Sequence, residues 1–191
     1  MLENQRAALA LIAIVTGVVA CIQGVMSMRA GSTALLASAL IFVQHSISAS
    51  VASWALSMAF ARSRWIVQLQ GLMMLVLGGL VFAAAIRRFL IGSVPHPLTM
   101  MVLGGLAIGA TMTCGAILLR QKEQVTNWRS VWQLTRADAV SNVAIIAAAA
   151  LVALTRSNIP DLVIGGAMAA LFALAGLRMA ISGQTANRRL P

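Results

Sequence analysis

ALIFVQHSISASVASWAL, residues Ala39 to Leu56, sets a histidine in the middle of an apolar run, and the solvent around that run decides the fold. The chain has 191 residues, 60% of them hydrophobic and only 9% charged, with a mean hydropathy of +0.92. Such a chain lacks the polar groups to cover a water-facing surface, whereas a bilayer asks for none across its core. His45 is therefore expected inside an integral membrane protein.

A spanning helix needs roughly 20 mostly apolar residues. Runs of that kind cover Ala7 to Met28, Thr33 to Phe60, Ile66 to Ile86, Leu98 to Leu119, Ala137 to Leu154 and Leu162 to Ile181. Arg29 to Ser32, Ala61 to Trp65, RRFLIGSVPHP, RQKEQVTNWRSVWQLTR and TRSNIP separate them and read as loops, none long enough for a soluble domain. The organisation expected is one six-helix transmembrane domain over 1–181 and a short basic cytoplasmic tail over 182–191. The first run is too long for a secretory h-region and lacks a small-x-small cleavage site. No alternation of polar and apolar residues supports a β-barrel, so the fold class is an all-α membrane bundle, its backbone hydrogen bonds closed within each helix.

Orientation follows from the basic residues, because cytoplasmic loops retain positive charge during insertion. With the N-terminus inside, that side holds Arg6, Arg62, Arg64, Arg120, Lys122, Arg129, Arg136, Arg178, Arg188 and Arg189, against Arg29, Arg87, Arg88 and Arg156 on the other. Both termini are thus expected in the cytoplasm. The net charge of +10 then has a topological cause, and nucleic acid is not an expected partner. Scarce lysine and absent tyrosine fit an Arg-rich bacterial proteome, hence a multi-pass protein of the cell's inner membrane.

Cys21 and Cys114 lie in apolar runs and read as small hydrophobes. Zinc-finger spacings, phosphate-binding loops and nucleophilic triads are missing, so no enzyme is expected. Close helix approach is expected at Gly105 and Gly109 in the fourth run, at Gly17 and Cys21 in the first, and at Gly166 and Ala170 in the sixth. Ser46, Ser50, Ser53 and Ser57 share one face of the second run and are read as a packing face rather than a polar lining.

Two strongly polar side chains remain deep in the spans, His45 in the second and Asp138 at the start of the fifth. An ionisable group in hydrocarbon costs several kcal/mol unless it is partnered or faces a wet cavity. Each is the other's natural partner.

The surroundings of these two residues carry a resemblance. GSTALLASALIFVQHSISASVASWALSMAFAR is similar to the second helix of the cation diffusion facilitator family, NWRSVWQLTRADAVSNVAIIAAAALVALT to its fifth, and FAAAIRRFLIGSVPHPLTMMVLGGLAIGATMTCGAILLRQ to its third-to-fourth passage. In that family two ligands a helical turn apart on the second helix face two on the fifth and hold a divalent transition metal. Protons compete for the same ligands, which permits exchange of metal against protons. The resemblance implies His45 as the first ligand of the second helix and Asp138 as the second of the fifth. Ala49 and Leu134 stand where the remaining pair is expected, so the implied site is reduced, with Ser48, Ser141 and Asn142 as weak contributors. The chain stops soon after the sixth span, so the resemblance implies a member without the family's C-terminal cytoplasmic domain.

The resemblance thus implies cation/proton exchange through His45 and Asp138, with a zinc-like divalent metal as substrate and no tightly bound cofactor. Loss of two ligands also leaves room for a small organic or monovalent cation. The alternative is a non-transporting membrane partner or assembly subunit on the same scaffold, in which the two residues only hydrogen-bond across the bundle. Beyond the lipid bilayer, assembly is expected as a homodimer or with a membrane hetero-partner.

Overall fold

The computed structural model describes residues 2–55, 64–120 and 128–185, with side-chain surroundings over 4–54, 67–120 and 138–181. Six helices follow one another: α1 (Leu2–Ala30), α2 (Thr33–Ala55), α3 (Arg64–Ile91), α4 (Pro97–Arg120), α5 (Trp128–Thr155) and α6 (Ile159–Thr185). Each contains a stretch long and apolar enough to span a membrane, so this is an all-α multi-pass membrane protein.

α1, α3, α4, α5 and α6 all run past the boundaries expected of them. RRFLI carries no helix breaker, so α3 continues to Ile91, and Gly92 at φ 71° closes it by donating its N–H to the Arg88 carbonyl. WRSVWQLTR likewise contains neither Gly nor Pro, so α5 begins at Trp128 rather than Ala137. Asp138 consequently lies in the third turn of α5 instead of at its edge. Pro160 is tolerated in a first turn, where its missing N–H is not needed, so α6 starts at Ile159 and draws Asp161 into the helix.

Packing is pairwise. α1 lies against α2, α4 against α5 and α3 against α6, while α2 touches all five other helices and forms the centre. α5 packs chiefly on α4 and meets α2 only locally. The core gathers Leu35, Val81, Met100, Ile145 and Val152, while long apolar residues such as Leu72, Leu98 and Leu171 point outward, as lipid contact requires.

The glycines that set the closest approaches are mostly not the expected ones. A Cβ on Gly71 would stand 2.7 Å from the Gly176 carbonyl oxygen, and one on Gly176 would stand 2.7 Å from that of Gly71, so α3 and α6 cross backbone to backbone. In α4 it is Gly104 that faces α5, whereas Gly105 and Gly109 point away and meet nothing within 4 Å. In α6, Gly165 abuts Thr33 and Ala34 while Gly166 meets nothing within 4 Å. Both expectations were off by one residue, because a GxxxG pattern does not say which side of the helix is turned inward. Gly17 does sit under Ser46, but Cys21 is exposed.

The serine face packs on α1. Ser46 donates to the Ala13 carbonyl at 2.8 Å and Ser53 to that of Arg6 at 3.4 Å, and Ser50 bonds back to Ser46 of its own helix. Ser57 lies outside the described residues.

Candidate functional site

α2 and α5 present matching faces. His45, Ser48 and Ala49 occupy positions i, i+3 and i+4 of one helix, and Asp138, Ser141 and Asn142 the same positions of the other. Where the faces meet, His45 Nε2 lies 2.9 Å from Asp138 Oδ2, with 27% and 22% of the two side chains exposed. The carboxylate stands off the ring's N–H direction, so Nε2 keeps no aligned hydrogen bond. Phe42, one turn away, meets the imidazole edge-on at 85° with ring centroids 6.3 Å apart.

The pair stands where two cavities converge. One, of about 280 Å³, runs between α1, α2 and α4 past Ala49, Ala52, Thr111, Cys114 and Leu118. The other, of about 440 Å³, runs between α2, α3, α5 and α6 past Gln44, Ser48, Gln70 and Ser141. Both extend toward the end of the bundle where α1 begins, as Leu9 in the first and Gln70 and Met179 in the second show.

Toward the opposite end the bundle is closed by a polar layer. Ser38 donates to Gln23 Oε1 at 2.9 Å and approaches Asn142 Oδ1 at 3.3 Å; Asn142 donates to Thr111 at 3.4 Å, and Gln23 to the Leu103 carbonyl at 3.2 Å. Four helices are tied together there by side chains almost wholly removed from solvent. Beyond it lies a second knot. Asp161 accepts from Ser32 Oγ at 2.6 Å, from the Thr33 N–H at 2.6 Å and from the Ala34 N–H at 3.1 Å, while Arg88 reaches Thr33 Oγ1 and the Ser27 carbonyl.

The weak contributors divide. Ser48 and Ser141 line cavity wall beside the pair, whereas Asn142 is 2% exposed and already engaged in the polar layer. Ala49 lines the first cavity; Leu134, one turn before Asp138 on α5, has its side chain outside the described residues. Cys114 shares the first cavity, yet among the described residues no group of three His, Cys, Asp or Glu side chains gathers closely enough to hold a metal ion.

Sequence reading passed over Gln23, Gln44, Gln70 and Asp161. The signal was there: a carboxamide inside an apolar run needs a partner as a charged group does, at lower cost. Asp161 escaped because the sixth helix was begun one residue after it.

Comparison with protein families matches residues 67–184 to the cation efflux transmembrane domain. Gln70, Asp138, Ser141 and Asn142 fall within the matched segment, and Gln44, His45 and Ser48 precede it. No curated protein matches the chain.

Proposed function

Since the chain belongs to the cation efflux transmembrane-domain family, whose members move divalent metal cations across membranes, we propose that it exchanges a zinc-like divalent cation for protons at His45 and Asp138. The observation that carries this reading is the 2.9 Å approach of an imidazole to a carboxylate at the meeting point of two cavities. Imidazole nitrogen and carboxylate oxygen are both zinc donors, and both bind metal only when deprotonated, so a proton arriving at either displaces the ion. Ser48, Ser141 and water complete the shell. With two charged-type ligands in place of four, the ion is held weakly, which suits passage better than storage.

In this reading both termini lie in the cytoplasm, the cavities open to that side, and the polar layer from Gln23 to Asn142 closes the other. Residues 1–181 form the transport unit and 182–191 a basic tail, in a bacterial inner membrane. The test is cobalt or zinc flux in proteoliposomes under an imposed proton gradient. Flux that His45→Ala and Asp138→Asn both abolish supports exchange at the pair; flux indifferent to both removes the pair from the mechanism.

A second reading, a membrane partner or assembly subunit, draws on the outward face of α4, where Gly105 and Gly109 meet nothing within 4 Å among the described residues. Small residues there would let another helix approach, from a second copy or a different protein. Cross-linking in native membranes that Gly105→Leu with Gly109→Leu disrupts would favour it. A monomer unchanged by those substitutions would count against it.

A further inference from the structure

The larger cavity has the volume and wall of an organic-ligand pocket rather than of an ion site. A bare metal ion would fill little of its roughly 440 Å³, and most of its lining area is hydrocarbon and thioether from residues such as Ile41, Met74, Met168 and Phe172. Pockets for small organic ligands share that recipe: a mostly apolar wall with a few convergent polar groups that fix orientation.

Here the polar groups are Asp138 with its neighbour His45, Ser48, Ser141 and the carboxamides of α2 and α3. Gln44 and Gln70 both direct an amide N–H at Ser48 Oγ, at 3.3 and 3.4 Å. Gln44 is 5% exposed, and its Oε1 is a buried acceptor without a hydrogen-bond partner among the described residues. Leaving such an atom unpaired costs on the order of 1–3 kcal/mol unless a ligand or water meets it. A carboxamide can turn either end toward a ligand, and in a cavity it shares with Asp138 the end that a cation selects is the oxygen.

We propose that this cavity binds an organic ammonium ion, its charge against Asp138, an N–H donated to Gln44 Oε1, and its hydrocarbon body along the methionine and phenylalanine wall. The proposal rests on reading Asp138 as the cation-binding carboxylate and names a second class of cation for it. Such an ion and a divalent metal would compete for one side chain. Thioether and aromatic carbon suit the hydrocarbon body of such an ion, while its N–H groups need the polar end of the cavity.

The test uses the full chain in mild detergent and follows its melting temperature, which a ligand of the native state raises with its concentration. The probe is 2-phenylethylammonium, compared with its N,N,N-trimethyl counterpart and with neutral 2-phenylethanol. The primary ion is expected to stabilise saturably, and the trimethyl ion to need about tenfold more, having no N–H for the Gln44 oxygen. Gln44→Leu should level the two ions, and Asp138→Asn should weaken both. Ala175→Phe, which narrows the cavity, should weaken both as well; if that variant does not fold, the levelling in Gln44→Leu decides alone. No saturable shift with the primary ion overturns the proposal. So does an equal shift with the neutral alcohol, which would mark an uncharged apolar occupant such as a lipid chain. Metal flux that depends on Asp138 without any ammonium binding overturns this inference and leaves exchange standing; ammonium binding without metal flux does the reverse.

Discussion

The carboxylate of Asp161 accepts the backbone N–H of Thr33 at 2.6 Å, so the first turn of α6 caps the first turn of α2. A carboxylate at a helix N-terminus meets both unpaired N–H groups and the positive end of the helix dipole. Asp161 is 1% exposed, and Ser32, itself a cap through its bond from the Leu35 N–H, adds a third donor. Removing the acceptor strands all three. Asp161→Ala is expected to destabilise the fold by roughly 2–3 kcal/mol, with Asp161→Asn milder, both read as lower melting temperatures in detergent. A variant as stable as the parent would show that water replaces the carboxylate.

The α3–α6 crossing gives a prediction with an internal control. Gly71→Ala would put a methyl group 2.7 Å from one backbone atom and 2.8 Å from another, neither of which can rotate away. It should cost about 1–3 kcal/mol as the helices part. Gly79→Ala, eight residues later and with nothing within 4 Å, should stay within about 1 kcal/mol of the parent. Equal melting temperatures for the two variants would contradict the crossing.

Acidification should weaken cation flux. In the proposed exchange the imidazole and the carboxylate bind a cation in their unprotonated forms, so every proton taken up by either removes a ligand. With the proton gradient collapsed, uptake of cobalt at fixed concentration is expected to fall as pH falls, and the remaining pH dependence to flatten in Asp138→Asn. Uptake that rises with acidity would require a different ion-binding group.

Restoring the missing ligands tests the helix faces themselves. Ala49 lies one turn beyond His45, and Leu134 one turn before Asp138, so Ala49→Asp with Leu134→His puts two ligands a turn apart on each helix. The double variant is expected to bind cobalt tetrahedrally, seen as a visible absorption that octahedral aqueous cobalt lacks, while neither single change suffices. A folded double variant without that absorption would mean that the two faces do not converge at those positions.

The six spans and the approach of His45 to Asp138 were legible in the sequence for one reason: hydrocarbon makes charge conspicuous. Helix ends were less so, since apolar runs mark where lipid lies and helices such as α5 continue past it until something breaks them. The glycine contacts were least legible. Gly104 and Gly105 are neighbours with opposite surroundings, and only the packing of whole helices decides which one a partner meets. Gln44 was overlooked because an amide beside a histidine looks unremarkable until its oxygen is found without a donor.

The partnering of α3 with α6 also fixes an order of events during synthesis. The α1–α2 and α4–α5 pairs join consecutive segments and can close as soon as their second helix leaves the ribosome, but α3 must wait until α4, α5 and finally α6 have followed it. For that interval the glycine-bearing side of α3 has only lipid, or an insertion factor, for company. Nascent chains stalled before α6 should therefore be open to cross-linking at Met74→Cys, a position that faces Gly176 of α6, and full-length chains protected. Early protection would mean that α3 has found a temporary partner among the first five helices.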